Sequence, residues 1–253
     1  MALSKNKLKL FQSLQRKKNR DELGLFIAEG EKLVKELISA NFKFHTLIYT
    51  RPQSIDYSQL NCDVLEAGTD DLKKISSLKT PPDILAICYQ SKPKLLHKVE
   101  ADELIIALDD IQDPGNLGTI IRLASWFGIK QVVCSPQTAD CYNQKVIQAT
   151  MGAIAHVSVA YTPLAKYLTE SRKNGIQVYG TFLEGNVIYE SNLASAAIVV
   201  MGNEGNGISD EIRELLDHKL FIPSFSKDNK NVESLNVSMA TAIVCSEFKR
   251  RTI

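Results

Sequence analysis

One arginine, two asparagines, a glutamate and a run of glycines sit where strongly apolar segments end. Residues 111–128, IQDPGNLGTIIRLASWFG, pass from a turn-forming knot of Asp, Pro, Gly and Asn into an apolar helical pattern. There Arg122 is the one charge among Ile120, Ile121, Leu123, Ala124, Trp126 and Phe127. The solvated face of an amphipathic helix would account for such a residue. A guanidinium held at that place can also grip a phosphate with its bidentate fork and steady charge developing on an oxygen. A second loop, VVMGNEGNGIS, carries Gly202, Gly205 and Gly207 around Glu204. Its spacing is not that of the dinucleotide fingerprint, and no phosphate-binding lysine follows. Glycines let backbone approach a flat ligand closely, and Glu204 favours a ligand with a neutral or cationic part. A third loop holds SLNVS, with Ser234, Asn236 and Ser238 alternating with Leu235 and Val237. Helix capping explains one such residue, not three at alternate positions.

Ligands of open parallel sheets bind at the carboxyl ends of strands, so the elements around these loops matter. Residues 103–253 alternate strand and helix. ELIIALDDI, KQVVCSP, AHVSVAY, IQVYGTF, AAIVVMG and KLFIPSF read as strands. The Arg122 segment, 139–151, PLAKYLTESRKNG with its glycine stop, DEIRELLDH and VSMATAIVCSEFKRR read as helices. Lys249, Arg250 and Arg251 suit the negative end of that last helix. The pattern predicts a mainly parallel sheet covered on both faces. Residues 1–92 alternate more weakly and predict a separate α/β sandwich: strands at LGLFIAEG, FHTLIYT, DVLEAG and DILAICYQ, helices at EKLVKELISANF and at TDDLKKISSL, the latter capped by Thr69. Residues 93–102 read as the linker.

Composition narrows the classes. At 253 residues, 44% hydrophobic and 23% charged, the chain is that of a soluble globular protein. Five scattered cysteines and no signal peptide predict reduced thiols in a cytoplasmic protein. Apolar runs fall short of the roughly 20 residues of a membrane span, and four scattered histidines give no metal site. The net charge of +1 hides an asymmetry: residues 1–100 hold 17 Lys and Arg against 12 Asp and Glu. Much of that excess is Lys5, Lys7, Lys9, Arg16, Lys17, Lys18 and Arg20, in a stretch without an acid. Such an arm attracts a polyanion. It also reads as an amphipathic helix, with Leu8, Phe11, Leu14 and Gln15 inward and the basic residues solvated.

Three segments in order, DPGNLGTIIRLASWFGI, VVMGNEGNGIS and IPSF…ESLNVSMATAI, resemble the motifs of the SpoU (TrmH) family of RNA 2′-O-ribose methyltransferases, in the SPOUT superfamily. The start, FQSLQRKKNRDELGLFIAEGEKLVKELI, resembles the substrate-binding domain that many members carry, related to the L30e ribosomal-protein fold. The resemblance implies a C-terminal domain with a deep trefoil knot, which periodicity alone does not propose. It implies S-adenosylmethionine held largely by backbone at Gly202, Ile222 and Leu235, with Thr181 nearby, and a homodimer through the catalytic domain. By motif position Asn116, Arg122, Glu204, Ser234 and Asn236 would form the active site. The partner would be structured RNA, ribosomal in preference to transfer RNA. A transfer-RNA enzyme and a non-catalytic RNA-binding assembly factor on the same fold stay open. One departure stands out: SFSKDNKNVE, between Ile-Pro and Ser-Leu-Asn, is longer than usual and has no glycine, and its Lys227 and Lys230 could touch RNA.

An arginine with a pKa above about 12 is a poor base at neutral pH. Arg122 is therefore expected to clamp the phosphate next to the target ribose and stabilise the developing alkoxide. Asn116 and Asn236 are expected to orient the ribose or Arg122. Glu204 is expected to tether Arg122 or brace its loop.

Overall fold

The computed structural model describes residues 3–51, 55–57, 60–96, 102–226 and 234–252. Two compact units emerge: 1–92 with 140–156, and 93–139 with 157–253. The chain parts at residue 92, but 140–156, expected in the C-terminal domain, packs with the first unit.

In the first unit, α1 (Lys5–Ser13) and α2 (Lys17–Leu23) precede β1 (Leu25–Glu29), α3 (Glu31–Ser39), β2 (Phe44–Tyr49), β3 (Asp63–Glu66), α4 (Thr69–Ile75) and β4 (Ile84–Tyr89). The sheet order is β1-β4-β2-β3, with β4 antiparallel to both neighbours and β2 parallel to β3. Helix α4 is capped by the Gly68 backbone without a side-chain bond, so Thr69 is its first residue and not its cap. Phe11 and Leu14 are fully buried with Ile27, Ile48, Leu72 and Leu85. The basic arm is therefore a packed helix pair, anchored by its apolar stripe.

The basic residues of that arm divide. Lys5, Lys9, Arg16, Lys17 and Lys18 are exposed. Lys7 pairs with Asp63 at 2.8 Å. Arg20 is not on the surface: it is 3% exposed, and its Nε and Nη2 donate to Asp140 Oδ2 at 3.0 and 2.5 Å. Its Nη1 donates to the Leu14 and Gln15 carbonyls. A buried guanidinium is tolerable only when paired in this way.

The second unit runs β5 (Leu104–Asp109), α5 (Pro114–Trp126) and β6 (Gln131–Cys134). After α6 (Gln144–Thr150), in the first unit, come β7 (Ser158–Tyr161), α7 (Leu164–Lys173), β8 (Gln177–Phe182), β9 (Asn186–Val187), β10 (Ala197–Gly202), α8 (Asp210–Arg213), β11 (His218–Phe221) and α9 (Val237–Arg250). The sheet is parallel throughout, in the order β7-β6-β5-β10-β8-β11-β9. Alternation sends Ile105, Ala107, Val178, Ile198 and Val200 to the face covered by Leu164, Tyr167 and Leu168 of α7 and Ile212 of α8. Helices α5 and α9 pack together, α5 also on β6 and α9 on β10. Both faces are thus covered, which is why β5 is buried along its whole length.

Several boundaries differ from the sequence reading. Helix 139–151 shrinks to α6, because Asn143 caps it and Met151 ends it in a left-handed conformation (φ 52°). The helix after the glycine loop is a four-residue piece, and the short β9 was not anticipated. Residues 93–96 are not a free linker: Gln131 binds the Leu96 N–H and the Lys94 carbonyl, and Tyr167 Oη donates to the Leu96 carbonyl. The rest of the expected linker up to residue 101, and Lys227 and Lys230, lie outside the described residues.

Candidate active site

Parallel strands line up their carboxyl ends, and adjacent strands β5, β10, β8 and β11 bring Asp109, Gly202, Thr181 and Ile222 to one edge of the second unit. Each loop there is organised by short polar side chains on backbone. Asp113 caps α5, its Oδ1 accepting from the Asn116 N–H at 2.8 Å, and Pro114 opens the helix where no N–H is needed. Asn203 Oδ1 accepts from the Gly205 and Asn206 N–H groups, and its Nδ2 donates to the Asp110 carbonyl at 2.7 Å. Asn236 caps α9, accepting from the Ser238 and Met239 N–H groups and from Ser238 Oγ.

These caps are joined into one network. Asn236 Nδ2 donates to Asn116 Oδ1 at 2.9 Å, and Asn116 Nδ2 donates to Glu204 Oε1 at 2.9 Å. Glu204 also accepts from the Gln112 and Asp113 N–H groups, each at 3.2 Å. One bond thus spans 120 residues of sequence and the next 88. Asp109, 6% exposed, ties the same edge together by accepting from the Ser209 N–H at 2.8 Å.

Partial burial between the loops pushes the Glu204 carboxyl up, but the Asn116 amide and the surrounding backbone N–H groups outweigh it and hold its pKa below the ordinary value. Glu204 is therefore an ionised acceptor that braces the first loop against the second, and a poor base near neutral pH. It makes no bond to Arg122, so the expected tether is replaced by the bracing role. Arg122 is exposed and, among the described residues, forms no hydrogen bond or ion pair. Asn116 and Asn236 bind each other and not Arg122. Ser234 is exposed beside the cluster and forms no hydrogen bond among the described residues.

Of the residues expected to hold the cofactor, Thr181 and Ile222 are half-buried at strand ends, and Leu235, just before the α9 cap, is 49% exposed. Gly202 has a structural reason as well. A Cβ there would lie 2.3 Å from the Gly207 carbonyl carbon and the Ile208 nitrogen, where the loop closes on itself through paired Asn203 and Gly207 backbone bonds. An edge of open backbone and exposed apolar side chains, with the Glu204 carboxylate in its glycine loop, suits an aromatic ring and a cationic centre. Among the described residues it lacks the clustered cations of a triphosphate site.

Sequence reasoning missed Asp109, Asp113 and Asn203. Asp113 was legible from Asp-Pro-Gly, the signature of an N-cap before a first-turn proline. Asp109 acts on the Ser209 N–H 100 residues away and left no local signal; Asn203 turns its own loop, but its bond to the Asp110 carbonyl, 93 residues back, is not announced by its neighbours. Among the described residues no group of three or more His, Cys, Asp or Glu could hold a metal ion, and no helix is long and apolar enough to cross a membrane.

Comparison with known proteins shows the family of the chain. Residues 103–246 match the SpoU rRNA Methylase family, and residues 5–86 match the MRM3-like substrate binding domain. The 23S rRNA (guanosine(2553)-2′-O)-methyltransferase RlmP of Bacillus subtilis is 32% identical, over 94% of this chain and 94% of its own. A solved TrmH-family structure from Porphyromonas gingivalis is 37% identical with TM-score 0.87, covering 99% of this chain and 100% of that one. An AdoMet-bound rRNA methyltransferase from Sinorhizobium meliloti is 28% identical with TM-score 0.87, covering 100% of this chain and 97% of that one.

Proposed function

The chain belongs to the SpoU rRNA methylase family, and on that premise we propose that it methylates a ribose 2′-hydroxyl of 23S ribosomal RNA, with S-adenosylmethionine as methyl donor. The observation that carries this reading is the Asn236–Asn116–Glu204 network, which ties the three loops together, while Arg122, on the helix whose first turn holds Asn116, is exposed and without a partner among the described residues.

Bound S-adenosylmethionine supplies a methyl group on a cationic sulfonium. The strand-end residues Thr181, Gly202 and Ile222, with Leu235, are assigned to hold it. Arg122 would take the phosphate beside the target nucleotide in its fork and stabilise negative charge on the 2′-oxygen as its proton passes to that phosphate and on to solvent, the O–CH3 bond forming as the S–CH3 bond of the donor breaks. Asn116 and Asn236, locked to each other, are positioned to orient the ribose, and exposed Ser234 stands at the same rim. Holding the attacking oxygen in line at about 3–3.5 Å supplies several kcal/mol of the catalysis through proximity.

Residues 1–92 are assigned to RNA binding, with Lys5, Lys9, Arg16, Lys17 and Lys18 facing solvent; their relation to the L30e fold belongs to this proposal. A trefoil knot is assigned to the second unit. It is supported by β10 inserting between β5 and β8 and by α9 returning to pack on α5. A homodimer through this unit is supported by exposed Trp126 (84%) on α5 and Met239 (59%) on α9. The free cysteines are consistent with the cytoplasm.

Methyl-labelled S-adenosylmethionine, incubated with the full chain and separate pools of unmodified 23S rRNA and transfer RNA, tests the proposal. Label in 23S rRNA within an alkali-resistant dinucleotide is the expected result. Label confined to transfer RNA would transfer the assignment to that substrate. Cofactor binding without label in either pool would favour an assembly factor.

A further inference from the structure

The face of the first unit that α1 covers ends in an aromatic rim. Alternation along β4 puts Tyr89 on the same side as Leu85 and Ile87, which share a core with Phe11. Those two are fully buried, whereas Tyr89, at the end of the strand, is 43% exposed. His45 on the adjacent β2 sits at the same rim. Its ring lies 5.7 Å from Tyr89 at 59°, and 6.4 Å from Phe11, edge to face.

Helix α1 passes over this pair with a basic residue on the same side. Lys7 and Phe11 are one turn apart on one helix face. Phe11 meets His45, while Lys7 meets Asp63, whose β3 position is in register with Thr46. Asp63, the acid of this group, is matched by that lysine. Exposed Lys43 adjoins the rim from the other direction, its carbonyl accepting the Tyr89 N–H at 3.0 Å. Exposed aromatic rings set among lysines are what binds unpaired nucleotides: rings stack on bases, and ammonium groups track the phosphates.

We propose that Tyr89 and His45 form a stacking platform for an unpaired base of the RNA substrate, with Lys43 on the adjoining phosphate. This rests on the ribosomal-RNA reading above and gives the first unit a base contact beside its lysines. A second aromatic pair of this unit, the half-buried Tyr49 and Tyr57, is stacked at 5.8 Å and 22°. It lies beside Glu66, and the adjoining Arg51 is paired with Asp83, an acidic setting that opposes a polyanion.

Affinity of the full chain for a 23S rRNA fragment, measured across a salt series alongside steady-state methylation, tests the platform. Tyr89→Leu keeps apolar volume and removes the ring. The dissociation constant and KM should rise about tenfold, the scale of one lost base stack, with kcat unchanged. Tyr89→Phe should recover the affinity. The salt dependence should keep its slope in Tyr89→Leu and become shallower by about one unit in Lys43→Gln. His45→Leu must show the same slope-independent weakening, which separates stacking from any folding defect at Tyr89. Wild-type affinity in Tyr89→Leu and His45→Leu, or equal weakening in Tyr89→Leu and Tyr89→Phe, would overturn the platform. Tight, ring-dependent binding by a protein that methylates no 23S rRNA would strike the proposed reaction and leave the platform standing.

Discussion

Arg20 and Arg122 lie in different units, and the protein treats their charges in opposite ways. Arg20 is enclosed, with Asp140 and two backbone carbonyls taking up its donors. Arg122 projects from a helix whose other faces are buried, and no described acid approaches it. A buried guanidinium whose Nε, Nη1 and Nη2 are already engaged at home can only stabilise. One whose donors are free can bind a phosphate that arrives later. Local sequence marks both as basic residues beside apolar ones; only their surroundings separate structure from chemistry.

The largest expected effect is on folding. Arg20→Ala strands the Asp140 carboxylate in a nearly closed site and should cost about 3–5 kcal/mol of stability, the usual result of removing one partner of a buried pair. Denaturant titration reads this, and replacing Asp140 with Asn in the same chain should restore part of it. A loss indistinguishable from that of an exposed lysine variant such as Lys18→Ala would erase the contrast.

Arg122→Ala should leave the denaturation midpoint in place and lower kcat by about 10²–10³-fold, the range for removing one preorganised charge-stabilising donor. Arg122→Lys should recover little, because a single ammonium lacks the planar fork. Full turnover in the alanine variant would put Arg122 back among ordinary solvated residues.

The smallest effect concerns a third arrangement. Glu247, 6% exposed, binds Arg250 and Arg251 at the end of α9. The hydrogen bond from Arg250 leads in holding its pKa down, burial opposes, and Arg251 adds to the lowering; the result is about 2 against an ordinary 4.5. A carboxylate with a depressed folded pKa contributes stability above its unfolded pKa and loses it as pH falls through the folded one. The stability difference between wild type and Glu247→Gln should therefore be constant near neutral pH and shrink between about pH 4.5 and pH 2. A difference independent of pH over that interval would show that packing and not charge is at work.

Much of the second unit was legible. The turn chemistry of Asp113, Pro114, Gly202 and Asn236 marks where strands stop and helices start, because those preferences are set by the residue and its immediate neighbours. The long apolar runs of β5 and β10 declare a strand buried on both faces. The 139–151 helix was less legible. Its composition signals a helix, but nothing within it signals that Gln144 donates to Glu29 Oε1 and Gln148 to the Glu29 carbonyl.

The sequence by itself therefore determined the kinds of elements, the three loops and the residue types available for chemistry. Tertiary structure decided which charges are spent. It closed Arg20 on Asp140 across 120 residues, gave Glu204 to Asn116 and not to Arg122, and moved 140–156 into the first unit. Backbone preferences act over a few residues. The pairing of a buried charge is fixed only when distant segments meet and water is excluded, because only then does an unmet donor or acceptor carry its full cost.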